Sequence, residues 1–269
     1  MKRHFFNYEI KEVAPYIDWG YFLHAWGITD AKCCQQAEEI ISDAKAMLNE
    51  LDGKYRSVAI FALCDAKGDG DNIVIEETTL PLLRQQHNTD GKYNLCLSDF
   101  ISPHGDKVGL FATSVESALG SEYANDDYKH LLSQTLADRL AEATATLLHK
   151  RVRTEKTLWG YSPDEELAIE DLLAERNQGI RPAVGYPSLP DQSIIFAIDS
   201  LLHLGEAGIT LTPNGAMTPH ATVCGLMIAH PKAHYFAVGK IDHEQLLDYA
   251  KRRGMLPDEI ARFLAKNIG

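Results

Sequence analysis

The residues of this chain best suited to chemistry stand in the stretch Ile180 to Pro187, which reads IRPAVGYP. Arg181 and Tyr186 each precede a proline, which restricts them to extended backbone and so aims both side chains in advance. Gly185 can take a positive φ or let another group approach the backbone. The planar guanidinium of arginine binds a carboxylate or phosphate through two parallel hydrogen bonds. The stretch is therefore typical of a loop that binds an anionic group, and a rigid connecting loop would have the same composition.

The pattern RPAxGYP within this stretch resembles the signature of the activation domain of cobalamin-dependent methionine synthase, which binds S-adenosylmethionine. Further blocks resemble that family in the same order along the chain: PYIDWGYFLHAW, LLRQQH, LSDFISP, GLFATS, LWGYSPDEEL and AHPKAHYFAVGKI. The likeness spans nearly the whole chain, so chance similarity of one short motif does not account for it.

The resemblance implies roles for residues of the loop and of two other blocks. Arg181 is assigned to the carboxylate of S-adenosylmethionine, and the backbone around Ala183 and Gly185 to its adenine or ribose. Tyr186 is expected at the edge that faces the corrin, as the one catalytic residue. Asp18, in the YIDW block, is assigned to cationic or hydroxyl parts of the ligand; without the resemblance it would be read as a helix cap or surface charge.

Four more residues complete the predicted binding set. Tyr235 and Phe236 stand where the family has an aromatic pair, and phenylalanine here replaces the second tyrosine, so a hydroxyl contact at that position would be lost. Glu142 lies in LADRLAE, on a helix that should pass near the ligand in the family, although most such polar faces are only solvated. Glu175 could support Arg181 by charge, with an ordinary surface glutamate as the equal alternative.

The family implies a function. In it, the activation domain presents S-adenosylmethionine to oxidised cobalamin, while flavodoxin or a similar reductant supplies an electron. We therefore expect S-adenosylmethionine as ligand and cobalamin carried by a partner. No homocysteine, folate or cobalamin module fits this sequence, so we expect a stand-alone component that works with a separately encoded cobalamin-binding methionine synthase and is inactive alone. The alternatives are reactivation of another corrinoid methyltransferase, or a non-catalytic docking module that binds S-adenosylmethionine. The divergent segment 211–219 leaves the docking surface open.

Composition narrows the classes of partner. The 269 residues are 45% hydrophobic, enough for one domain with a substantial core, and the formal net charge is −12. Nucleic acid and anionic membranes need basic patches, so neither is expected as a partner. No apolar run is long enough to span a bilayer, and we expect a cytoplasmic protein. Five cysteines without C-x-x-C spacing suggest neither disulfides nor a zinc site, and the glycine motifs of nucleotide-binding Rossmann folds are missing.

Hydrophobic periodicity predicts the elements that must position these residues. Helices are predicted over 31–51, 126–152 (the longest), 194–202, 243–253 and 257–266, and another from a capping box at Ser162 to about Arg176. Strands are predicted over 57–63, 72–76, 93–101, 107–114, 221–229 and 234–241. Their close spacing implies hairpins, hence an α+β fold with a central twisted, mainly antiparallel sheet flanked by helices. The chain should form a single unit over 1–269, with an N-terminal helical segment (1–56) packed on it and no linker.

Overall fold

The computed structural model describes residues 1–29, 35–87, 93–116, 118–119 and 122–269. The strands are β1 Lys2–Glu9, β2 Arg56–Asp69, β3 Asn72–Ile75, β4 Thr78–Pro81, β5 Asp106–Val115, β6 Thr210–Leu211, β7 Met217–Thr218 and β8 Thr222–Met227. The helices are α1 Ile10–Val13, α2 Trp19–Ala25, α3 Gln35–Leu51, α4 Asp127–Thr154, α5 Ile169–Leu173, α6 Ile194–Leu202, α7 His243–Arg253 and α8 Pro257–Phe263. Among the described helices, none is long and apolar enough to cross a bilayer.

A six-stranded sheet lies at the centre, in the order β4-β3-β2-β5-β8, with β1 also paired to β2. The long β2 organises it, because its first half pairs with both β1 and β5 and its second half with β3. Every pairing in this sheet is antiparallel. The predicted α+β fold with an antiparallel sheet is therefore confirmed.

Both faces of the sheet are buried. Side chains alternate across a strand, so on β2 Ala59 and Phe61 join one core cluster while Ile60 and Ala62 join another. Helices α1 to α4 contribute to the first cluster, and α6 to the second. A third, smaller cluster joins α7 and α8. Burial on two sides explains why β2 reads as a continuous apolar run rather than an alternating one.

Helix α4 is the longest described element, with 28 residues, as predicted. It begins after Asp126, whose carboxylate accepts a hydrogen bond from the Lys129 amide at 3.0 Å and caps the helix. It packs across β2, β5 and β8. A long rigid element thus lies over the sheet and can present polar side chains at fixed positions.

Two predicted strands are not strands. Within 93–101, the chain forms a 3-10 helix, Leu97–Phe100, whose start is fixed by Asp99 accepting from the Cys96 amide at 2.9 Å. Within 234–241, the chain is irregular, because its backbone bonds to a neighbouring loop instead of a strand. Val238 donates to the Pro187 carbonyl at 2.9 Å, and the Phe236 carbonyl accepts from the Ser188 hydroxyl.

Two further predictions near the site need correction. The capping box at Ser162 does not start a helix that reaches Arg176, and α5 covers only Ile169–Leu173. Glu165 does not reach back to cap; it forms an ion pair of 2.7 Å with Arg153, whose side chain is 1% exposed. A buried guanidinium needs a counter-charge, and that requirement outweighs a local capping contact.

The N-terminal segment is only partly helical, because its first residues form β1 against β2. The predicted helix over 31–51 is present as α3, and its first residues, 31–34, lie outside the described part of the chain. Cys33 and Cys34 lie there too. The cysteines that are described, Cys64, Cys96 and Cys224, are free and buried.

Candidate functional site

The segment 180–184 of the IRPAVGYP stretch lies along the outer edge of β8. Ile180 and Ile228 exchange both backbone hydrogen bonds at 2.9 Å, and Val184 donates to the Cys224 carbonyl at 2.9 Å. Because alternate residues of an extended chain bond to the same side, the amides of Arg181 and Ala183 face away from β8. The predicted extended backbone before Pro182 is thus held as an additional strand-like edge.

Gly225 on β8 allows this close approach. A Cβ at that position would lie 2.2 Å from the Pro182 carbonyl oxygen and 2.8 Å from Ala183 Cα. No side chain fits at such distances, so glycine is required by the neighbouring backbone rather than by its own conformation.

The outward edge of the segment offers backbone groups to a ligand. The Arg181 amide donates to the Tyr235 hydroxyl at 2.9 Å. No acceptor in the described part of the chain meets the Ala183 amide, and no donor there meets the Arg181 carbonyl. These two groups form a donor and acceptor pair suited to the edge of a heteroaromatic ring.

The outward edge forms one wall of a cleft of about 640 Å³, a size typical of small-molecule sites. The walls come from the N-terminal block, α4, α5, the 181–188 loop and the 235–237 segment, and the polar and aromatic residues among them are Tyr16, Asp18, Tyr21, Arg139, Glu142, Thr146, Glu175, Arg181, Tyr186, Ser188, Tyr235 and Phe236. The cleft therefore brings together Asp18, Glu142, Glu175, Arg181, Ala183, Tyr186, Tyr235 and Phe236, which the sequence analysis singled out from four separate regions.

Gly185 does not line the cleft. It has a φ of +85° and donates its amide hydrogen to the Leu189 carbonyl at 2.8 Å. Its contribution in this structure is to turn the chain between Ala183 and Tyr186, which both line the cleft.

Glu142 is the charged centre of the cleft. Its carboxylate lies 3.5 Å from Arg181 Nη1 and accepts a hydrogen bond from the Tyr186 hydroxyl. The other end of the Arg181 fork donates from Nη2 to the Thr146 hydroxyl at 2.9 Å. Burial and the nearby Glu142 charge raise the pKa of Tyr186, so this phenol remains protonated and acts as a donor.

Asp18 both caps a helix and lines the cleft. Its Oδ1 accepts from the amides of Gly20 at 2.8 Å and Tyr21 at 3.1 Å, at the start of α2. Its Oδ2 makes no hydrogen bond to the described residues. The cap fixes the carboxylate and leaves one oxygen for a ligand, so the structural and functional interpretations are compatible.

Glu175 has a backbone φ of +55°, an uncommon conformation for a residue other than glycine. Such strain is found most often at functional sites. Burial raises the pKa of Glu175, while the Arg181 charge acts in the opposite direction. The carboxyl group is thus held near Arg181, as the sequence analysis expected, without an ion pair between the two in the described structure.

Phe236 lines the cleft, and its ring packs near Phe100 with centroids 6.5 Å apart. Its backbone is held by Ser188, whose hydroxyl receives the Phe236 amide hydrogen at 3.1 Å. The position therefore contributes apolar surface, and Tyr235 supplies the hydroxyl of the aromatic pair.

A buried layer supports the cleft from behind. His149 Nε2 lies 2.9 Å from the Tyr161 hydroxyl, which also contacts the Gln178 carbonyl at 3.4 Å, just before the 180–184 segment. Burial lowers the pKa of His149 well below its ordinary value, with the Arg153 and Arg181 charges acting in the same direction. A neutral histidine therefore helps to fix the loop.

The sequence analysis missed several lining residues, among them Tyr16, Tyr21, Arg139 and Thr146. A usable signal existed for the last two, since they stand three residues before and four after Glu142 on α4. Residues at these spacings share one face of a helix.

Together, the antiparallel sheet and this polar cleft define an α+β domain that binds a small molecule carrying both charges. The family described as vitamin B12 dependent methionine synthase, activation domain, matches residues 9–254. A solved structure described as the MetH reactivation domain bound to AdoHcy is similar, with a TM-score of 0.91 and 35% sequence identity over 100% of this chain and 91% of that one. The chain belongs to the family of activation domains of vitamin B12-dependent methionine synthases.

Proposed function

We propose that the chain binds S-adenosylmethionine in the cleft and presents its methyl group for reductive reactivation of the cobalamin of a methionine synthase. The observation that carries the proposal is the arrangement of charges, with Arg181 between carboxylates and an open backbone edge at Ala183. The similar MetH reactivation domain is described as bound to AdoHcy, the demethylated product of this donor.

The residues present fit the ligand part by part. A guanidinium has five donors, and two atoms of the Arg181 fork are engaged in the structure, so further N–H groups remain for the ligand carboxylate. Asp18 Oδ2 and the Glu142 carboxylate suit the ammonium, the sulfonium or a ribose hydroxyl. The Ala183 amide and Arg181 carbonyl suit the edge of adenine, with Tyr235 and Phe236 alongside.

The protein's contribution is placement rather than acid–base chemistry. When bound to its partner chain, cobalamin supplies the cobalt centre that takes the methyl group, and a flavodoxin-like reductant supplies the electron. Tyr186 is 49% exposed at the rim of the cleft, which supports its assignment to the edge that faces the corrin. Its hydroxyl is oriented by Glu142.

Calorimetry with the purified chain and S-adenosylmethionine tests the first part of the proposal. We expect saturable binding, and no heat of binding at millimolar ligand would refute the donor role. The second part is tested by adding a cobalamin-loaded methionine synthase without its own activation domain. We expect reactivation only in the mixture, and methionine formation by the chain alone would contradict a division of labour between two chains. Binding without reactivation of that synthase would favour another corrinoid partner or a docking module.

A further inference from the structure

Arg139 lines the cleft but has no partner in the described structure. It lies on α4, one turn before Glu142, and is half-buried. Its Nε is buried and makes no hydrogen bond to any described residue. No ion pair within the described part of the chain includes its guanidinium, whereas Arg153 pairs with Glu165 and Arg181 with Glu142.

An unpaired buried donor is rare and unfavourable, and each case calls for an explanation. The guanidinium cannot lose its charge, so the mismatch cannot be relieved by titration. Since Arg139 faces a cleft of ligand size, a ligand group is the simplest partner. The partner must be an acceptor, and an anionic one is favoured by the positive charge.

The charges along this wall follow a pattern. Glu142 stands between two arginines, Arg139 on its own helix and Arg181 across the cleft at 3.5 Å. The amino-acid end of S-adenosylmethionine carries an ammonium and a carboxylate on one carbon. A carboxylate has about four acceptor sites, and one guanidinium fork fills two of them.

We propose that Arg139 is a second carboxylate-binding residue of the cleft, which holds the ligand carboxylate together with Arg181 while Glu142 binds the ammonium group. This inference rests on the proposed function, because it assigns a residue to the same ligand. It makes the site a reader of the amino-acid zwitterion, beyond the adenosine part of the molecule.

The decisive experiment compares two ligands on two proteins. S-adenosylmethionine and its decarboxylated analogue, which keeps the ammonium group, are titrated calorimetrically into the wild-type chain and into Arg139→Met. Methionine fills similar space without any donor. We expect Arg139→Met to weaken binding of S-adenosylmethionine by about tenfold or more, and to leave the decarboxylated analogue unchanged or bound more tightly.

Two control variants separate binding from folding. Arg151→Met removes a guanidinium from the same helix outside the cleft, where Arg151 pairs with Glu155 at 2.6 Å, and should not change ligand affinity. Arg139→Lys keeps the charge, loses the fork and should recover only part of the affinity. The melting temperature of Arg139→Met without ligand should be equal to or higher than that of wild type, because the residue makes no bond in the described structure.

Three outcomes would overturn the inference. Unchanged affinity of Arg139→Met for S-adenosylmethionine would mean that the acceptor for this arginine is not the ligand carboxylate and belongs instead to a docked partner. An equal loss for both ligands, or a loss that follows a lower melting temperature, would mean that the residue acts through the fold. Absence of binding by the wild-type chain would refute the proposed function itself, and this inference with it.

Discussion

Gly225→Ala is the substitution that most directly tests how the fold supports the cleft. The added Cβ would lie 2.2 Å from the Pro182 carbonyl oxygen and 2.8 Å from Ala183 Cα, well inside contact distance. Both atoms belong to backbone, so no rotation of a side chain relieves the clash. The 180–184 segment must move away from β8, and Arg181 and Ala183 must move with it.

The size of the effect follows from the contacts that are lost. Overpacking of a well-packed region costs about 1–3 kcal/mol. Displacement also stretches the hydrogen bonds from Val184 to the Cys224 carbonyl, at 2.9 Å, and from Leu226 to the Pro182 carbonyl, at 3.0 Å. Each such bond contributes about 0.5–1.5 kcal/mol, so the free energy of unfolding should fall by roughly 2–6 kcal/mol. Domains are typically stable by about 5–15 kcal/mol, and part of the population should remain folded.

Chemical denaturation measures the stability loss, and calorimetry with S-adenosylmethionine on the folded fraction measures the affinity. We expect the affinity to fall about tenfold or more, since a change of only 1.4 kcal/mol at the displaced edge is enough. Gly205→Ala is the matched control, because a Cβ there meets nothing within 4 Å and should be neutral or slightly stabilising. Wild-type stability and affinity in Gly225→Ala would refute the assignment of the 180–184 segment as an edge fixed by β8.

Three other substitutions address single side chains. Arg181→Ala should weaken S-adenosylmethionine at least about thirtyfold in calorimetry, with Arg181→Lys recovering only part, and wild-type affinity would remove the arginine from the site. Tyr186→Phe should bind the ligand almost normally yet change the rate of reactivation in a cobalamin absorbance assay with the cognate synthase; equal rates would exclude a role for the hydroxyl. His149, whose pKa is lowered by burial, stays neutral when the unfolded chain begins to take up a proton below about pH 6.5, so wild type should lose about 1.4 kcal/mol of stability at pH 5.5 that His149→Gln keeps. Denaturation at pH 7.5 and 5.5 checks this, with the exposed His243→Gln as control, and parallel losses in wild type and His149→Gln would contradict it.

Local signals in the sequence predicted the parts of the fold that local physics determines. The period of apolar residues predicted α4 and α6, and the restriction before Pro182 predicted an extended Arg181. The predicted strands at 93–101 and 234–241 were wrong because β-favouring composition does not supply a partner strand. Side chains from elsewhere, Asp99 and Ser188, satisfy these backbones instead.

The error at the capping box has a different origin. Ser162 to Glu165 has the local pattern of a helix start, but Glu165 is the counter-ion of Arg153 on α4. Removing one partner of a buried ion pair costs about 3–5 kcal/mol, whereas a cap contributes about 1 kcal/mol. The larger, non-local term decides the conformation, and no window of neighbouring residues contains it.

The same limit applies to the roles of residues within the cleft. Asp18, Glu142, Arg181 and Tyr235 come from distant parts of the chain, and the sequence could assign each only through the family resemblance. In the structure Glu142 contacts both Arg181 and Tyr186, so one carboxylate joins the proposed ligand site to the exposed rim. A substitution at Glu142 therefore changes both contacts at once. Residues that share a partner are not additive, and their separate contributions must be taken from double-mutant cycles of Glu142 with Arg181 and of Glu142 with Tyr186.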